Sequence, residues 1–311
     1  MKYIILPERL SHSPAFSVKP TPTVTLWHML HKLPDPRRAQ GTRHALPTLL
    51  MLGILAICSG EGSYEAMADW PRNYQDEIRK QVPFLAGHTP DKSTFHRVFA
   101  RLDIAAVEEV LGTWIQDVVP LEEGEGIGLD GKAVGRSGYH LVAAFAHKAR
   151  AVLFQEGTNS KGKELVAAPR VLKNIPVKGQ IVTGDALFTQ KNLCELITQK
   201  GGGFVFTAKD NQKTLAEDIR LYFAAAPCDG EIETHTTVDK HKGRVEVRKM
   251  EVTTELNEYI EWPGVTHVWR VRRERTEEGR TTTQTAVGIA RLLEEKNPAR
   301  QLNRRWGINP P

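Results

Sequence analysis

Asp130 stands in the run Leu129-Asp130-Gly131-Lys132, and Asp185 in Thr183-Gly184-Asp185-Ala186, each directly after residues of strand character. Two carboxylates held side by side at strand ends would offer hard oxygen ligands to a divalent cation such as Mg²⁺. A pair of such ions, roughly 3.5–4 Å apart, activates a water or a 3′-hydroxyl and stabilises the leaving oxygen of an in-line phosphoryl displacement. Lys132 would reach a phosphate, and Gly131 would let the chain turn sharply after the acid. Taken singly, each aspartate reads more simply as a turn residue, since Asp-Gly forms hairpin turns and a strand-terminal Asp often caps one. Two of them, each at the proper end of a matching strand, reverse that preference.

The pair has meaning only if its strands are neighbours. Gly126–Val134, His140–His147 and Ala151–Gly157 read as three successive strands. A helix over Gly162–Leu172 follows, then a strand Gln180–Val182 running into Asp185, a helix Thr189–Lys200, a strand Gly203–Thr207 and a helix Lys213–Phe223. Three strands before the first helix point to an α/β, RNase H-like mixed sheet with flanking helices, in which the first and fourth strands are adjacent. A Rossmann domain would alternate from its start and would carry a glycine fingerprint after its first strand, which is missing here. Residues 230–290 return to strand character and read as a β-rich insertion. Upstream, Leu26–Leu33, Pro47–Ser59, Ser63–Trp70, Asp91–Leu102 and Ala105–Val118 have helical spacing. The expected layout is an arm over 1–24, a mainly helical domain over 25–118, and the catalytic domain over 119–311.

Composition excludes more than it selects. The 311 residues are 40% hydrophobic and 25% charged, as in a globular protein. The longest apolar run, Leu46–Cys58, has 13 residues, too few to span a bilayer. Three scattered cysteines without a CxxC pair speak against a disulfide framework or a zinc site and for a cytoplasmic location. A net charge of +5 favours a polyanionic partner. His140 and His147, at odd spacing on one strand, would face opposite sides and form no metal pair.

Several runs together carry a resemblance. Gly128-Leu129-Asp130-Gly131-Lys132, Tyr139-His140-Leu141-Val142, Gly184-Asp185-Ala186, Ala208-Lys209-Asp210-Asn211-Gln212 and Lys240–Arg248, in this order, resemble the H-repeat-associated family of insertion-sequence transposases. Leu33-Pro34-Asp35-Pro36-Arg37-Arg38, running on to Arg43-His44, is similar to that family's N-terminal region. The resemblance implies Mg²⁺ (or Mn²⁺) as cofactor, DNA transposon ends as partner, a homodimer on paired ends, and a third acid from a later helix, after an Arg-Trp-x-Ile run. Arg305-Trp306-Gly307-Ile308 is present, but Asn309 occupies the acid's place, and two prolines, which cannot continue a helix, follow it. The sequence therefore reads as a copy cut short in its final helix: a transposase with an incomplete acidic triad or, alternatively, a DNA-binding remnant without chemistry. Glu246 is the substitute third acid, although its alternation with Arg244 and Arg248 reads first as a charged strand face with cross-strand ion pairs. Glu164 is expected at the surface. Arg37, Arg38, Arg43, Lys132, Lys209, Arg244 and Arg248 are the expected DNA contacts.

Overall fold

The computed structural model describes residues 25–38, 40, 42–74, 88–134, 139–158, 162–225, 231–241, 243–293 and 297–306. The chain forms two compact units, Met1–Pro120 and Leu121–Pro311. The first is helical: α1 (Leu26–Leu30), α2 (Leu46–Cys58), α3 (Tyr64–Asn73), α4 (Lys92–Phe99) and α5 (Ile104–Val118). Thr25, Ser63 and Asp103 start α1, α3 and α5 by accepting a backbone N–H into the side chain, and Pro47 sits in the first turn of α2. Leu49, Leu52, Met67, Phe95 and Val98 meet in one apolar cluster, which accounts for the helical spacing of these residues in the sequence. Among the described residues, no helix is long and apolar enough to cross a membrane.

The second unit is built on one nine-stranded sheet: β1 (Gly126–Val134), β2 (Tyr139–Ala146), β3 (Ala151–Thr158), β4 (Ile181–Gly184), β5 (Gly203–Ala208), β6 (Glu233–His241), β7 (Arg244–Thr253), β8 (His267–Glu277) and β9 (Arg280–Arg291). Its order is β3-β2-β1-β4-β5-β9-β8-β7-β6. β4 is parallel to β1 and to β5, and every other neighbouring pair is antiparallel. The helices are α6 (Glu164–Lys173), α7 (Lys191–Gln199), α8 (Lys213–Ala225) and α9 (Pro298–Trp306).

Alternation along the strands divides the core in two. Ile127 and Leu129 of β1, Val182 of β4, and Phe204 and Phe206 of β5 pack with α6, α7 and α8 on one face. Ile181, Val205, Met250, Val252 and Trp269 lie on the other, where Ala299 and Leu302 of α9 cover them. β5 is buried along its whole length, as expected of a strand covered on both faces. The element types match the sequence reading, and most boundaries move by a few residues at most. Gly131 does not turn the chain sharply after the acid. Asp130-Gly131 is no hairpin turn, because β1 continues through Val134, with Gly131 paired to Val142 of β2.

Candidate active site

The β1–β4 ladder pairs Gly128 with Thr183 and Leu129 with Gly184. One step further along the same parallel register stand Asp130 and Asp185. Neighbouring strands lie about 4.8 Å apart, so the two aspartates stand side by side, Asp185 just past the end of β4 and Asp130 within β1, which runs on to Val134. By alternation with Leu129, Asp130 belongs to the face opposite α6, α7 and α8, the face that carries α9. Both aspartates are solvent-exposed. Asp185 caps the 3₁₀ turn Ala186–Phe188, its Oδ1 accepting the Leu187 N–H at 3.0 Å. Asp130 has no hydrogen-bond or ion-pair partner among the described residues. Lys132 is exposed and lies two residues on, along the same face of β1.

The loop that bears Asp185 is fixed from the β5–α8 connection. Asn211 donates its side-chain amide to the Ala186 carbonyl at 2.5 Å, and Gln212 donates to the Thr189 carbonyl at 3.0 Å. Thr189 Oγ1 in turn donates to the Thr207 carbonyl of β5 at 2.6 Å. Two consecutive amides thus grip both ends of the turn that Asp185 begins. Sequence reasoning gave a role only to Lys209 of that run, which is exposed; the adjacency of Asn211 and Gln212 to Asp185 depends on the β4–β5 pairing.

Glu164 is not at the surface. It opens α6, is buried, and stands 3.5 Å from His140 Nδ1. A Cβ on Gly131 would lie 3.1 Å from Glu164 Cγ, so glycine follows Asp130 because a glutamate side chain fills that space. Since Gly131 and Asp130 point to opposite faces, Glu164 lies on the far side of the sheet from the aspartates.

Glu246 is not brought to them either. It sits in β7, four strands from β4, a lateral separation of about 19 Å at the usual strand spacing. Its register partners, Arg275 and through it Thr282, lie past the last β5–β9 pair, Ala208 with Val287. There it is buried between Arg273, at 2.7 Å, and Arg248, at 3.1 Å. Hydrogen bonding from Arg273 holds the Glu246 carboxyl below the usual carboxylate range, against the opposing effect of burial. Arg248 also pairs with Asp239. Arg244 is half-buried on the same strand and adds to the positive field at Glu246. The position of Asn309 falls outside the described residues. α9 itself lies on the aspartate face and advances toward their edge: the Ala299 N–H donates to Glu233, and Asn303 donates to the His235 carbonyl, two residues further along β6. Among the described residues, no three His, Cys, Asp or Glu side chains cluster closely enough to hold a metal by themselves.

Comparison with known families decides what this sheet belongs to. Residues 119–308 match the transposase DDE domain, and residues 27–115 match the DDE_Tnp_1-associated region. The chain belongs to the DDE transposase family. It is 31% identical over 267 residues to an uncharacterized protein in the dhlA 3′ region of Xanthobacter autotrophicus, covering 81% of this chain and 89% of that one. Two Escherichia coli K12 proteins, each named "H repeat-associated putative transposase", are 28% identical to it. YhhI aligns over 75% of this chain and 65% of its own length, and YbfD over 70% and 88%. The chain thus spans about two thirds of YhhI and most of YbfD, and the H-repeat resemblance read from the sequence holds.

Proposed function

We infer that this chain is an insertion-sequence transposase that cuts and joins DNA strands at Asp130 and Asp185. The observation that carries the inference is their placement: two exposed carboxylates in neighbouring register on adjacent parallel strands, where β4 ends beside β1, on one face of the sheet. The strand order β3-β2-β1-β4-β5 supports an RNase H-like reading of residues 119–311, with β6–β9 as the β-rich insertion and 25–118 as the helical domain. Both carboxylates are hard oxygen donors, and Mg²⁺ is commonly held by one or two protein carboxylates together with substrate phosphates, so the pair fits such an ion. When bound by Asp130 and Asp185, the ion would polarise the phosphoryl oxygens and lower the pKa of the attacking hydroxyl.

The chain's own residues supply the rest. Asn211 and Gln212 orient the turn that carries Asp185, and unpaired Asp130 keeps its oxygens free for ligation. Lys132 and Lys209, both exposed, are placed to contact the DNA backbone as positive charges without reading sequence. By family membership the DNA is a transposon end, and the working form a cytoplasmic dimer on paired ends.

A second reading has one observation in its favour. Glu246, the substitute third acid, is held by arginines four strands away from the pair, as a DNA-binding protein without cleavage would allow. The test is Mg²⁺- and Mn²⁺-dependent cleavage of duplexes carrying the flanking terminal repeats, by the chain and by Asp130→Ala. Products that require Asp130 support the enzyme. Equal background from both proteins refutes it and leaves the binding protein.

A further inference from the structure

The helical unit contains a cleft of about 910 Å³ between the segment after α1, the end of α3 and helix α4. Six arginines line it (Arg37, Arg38, Arg43, Arg72, Arg97 and Arg101), whereas Asp91 is its one lining carboxylate among the described residues. Charge at that density opposes folding unless something neutralises it, and only part of it is neutralised internally. Arg37 is bound to Asp35 through two nitrogens, at 2.9 and 2.7 Å, and donates to the His44 carbonyl at 2.8 Å, which ties together the two ends of the Asp35–His44 segment. Arg72 takes Asp69 at 2.9 Å and Asp91 at 2.8 Å. These two arginines build the walls and consume the nearby carboxylates.

The others are left over. Arg38, Arg43 and Arg101 are exposed, and their side chains have no hydrogen-bond or ion-pair partner among the described residues. Arg97 donates only its Nε, to the Ser93 carbonyl at 3.0 Å, which leaves its terminal nitrogens free. The residual field is felt by half-buried His44, whose pKa is lowered by burial and then by the charges of Arg37 and Arg43.

We propose that this cleft grips the DNA phosphate backbone, with Arg38, Arg43, Arg97 and Arg101 as the phosphate-contacting groups. Guanidinium forks match phosphate oxygens in shape and charge, and a polyanion removes the mutual repulsion of the cluster. The choice of DNA rests on the transposase reading. The cleft itself is assigned to the backbone because its unpaired charged groups are guanidiniums, which match phosphate oxygens.

The test uses the full chain without divalent cations, so that cleavage plays no part. Anisotropy of a fluorescent 20-base-pair DNA duplex is followed from 50 to 200 mM NaCl for the wild type, for R38Q, R43Q and R101Q singly, and for the triple variant. Arg37 and Arg72 are left intact because they hold the walls. Each phosphate contact contributes about 0.9 to the slope of log affinity against log salt, so each single variant should flatten the slope by about 0.9 and the triple by about 2.7. A charge-matched control, R150Q/K173Q/K178Q, removes exposed cations from the end of the second unit's sheet opposite the aspartates and should leave the slope unchanged. An unchanged slope in the cleft variants, or an equal change in the control, would overturn the proposal. So would preferential binding of an RNA duplex through the same arginines. Cleavage at Asp130 and Asp185 is measured separately, with Mg²⁺, so failure of the cleft and failure of the catalytic reading give different results.

Discussion

The β1–β4 pair and the ribbon β6–β9 both carry acids on the same face of one sheet, yet they treat those acids in opposite ways. In the β1–β4 pair, the Asp130 side chain is unpartnered among the described residues and Asp185 spends one oxygen on a turn N–H. In the ribbon, Glu246 is enclosed by Arg273 and Arg248. The difference lies in the strand connections. Antiparallel hairpins bring long alternating strands into register, so a charge on one strand meets a countercharge on the next. β4 ends at Gly184, where its chain departs into a turn, and Asp130 beside it has Ala143 of β2 as its register partner, so neither aspartate meets a countercharge across the sheet. Carboxylate oxygens available to a metal are therefore found where β4 ends beside β1, and a carboxylate that holds structure together in the ribbon.

Substitutions can break this contrast, and the largest effect should fall in the β1–β4 pair. Asp130→Ala or Asp185→Ala should reduce Mg²⁺-dependent cleavage of end DNA by about a hundredfold or more, as the loss of a transition-state stabilising group does. The thermal midpoint of the Asp130 variant should stay near wild type, because exposed, unpartnered side chains change stability by only about 0.5 kcal/mol. A large loss of stability there would place Asp130 with the structural acids.

Glu246→Gln should behave in the reverse manner, destabilising the second unit by about 2 kcal/mol in urea titrations, since two arginines lose a largely buried partner. Cleavage per folded molecule should not change. The effect should also depend on pH with a fixed sign. The folded-state pKa of Glu246 is lowered, so its contribution is complete above the ordinary carboxylate value of 4.5 and disappears as pH falls through the lower folded value. The stability gap between wild type and variant should accordingly be constant near neutrality and close in acid. A gap that widens in acid would contradict the Arg273 interaction.

Asn211→Ala and Gln212→Ala fall between the two classes. Each removes one hydrogen bond to the Asp185 turn, with a stability loss of about 1 kcal/mol. If these amides position Asp185, cleavage should fall by more than the folded fraction accounts for, measured as turnover at saturating DNA. The smallest effect is expected at Gly131→Ala, whose Cβ would press on Glu164 Cγ at 3.1 Å and cost about 1 kcal/mol by overpacking. Removing the Glu164 side chain in the same protein should abolish that cost, and a cost that persists would mean that backbone conformation, rather than Glu164, requires the glycine.

Much of this was legible in the sequence because it is local. Strand alternation, the apolar face of α2, the caps at Thr25, Ser63 and Asp103, and the two aspartates after apolar strands all depend on residues near one another in the chain. Succession of three strands before a helix was enough to pair β1 with β4. The partners of individual charges could not be read in this way. Arg72 meets Asp91 across 19 residues, and Arg273 meets Glu246 across 27. Glu164 looked like a surface residue on its helix, because nothing in the sequence says that β1 passes over it.

Sequence alone thus determined the types and order of the elements, since periodicity and spacing are properties of the chain, and its motif runs carried the family resemblance and singled out the two aspartates. Tertiary structure decided which carboxylates stay free. It committed Glu246 to Arg273, buried Glu164 beneath Gly131, and gave Asp185 its supports in Asn211 and Gln212. It also gathered six arginines from separate segments into one cleft. The physical reason is that a charge is defined by what neutralises it, and its neutralising groups are set by strand register and helix packing, which bring distant residues together.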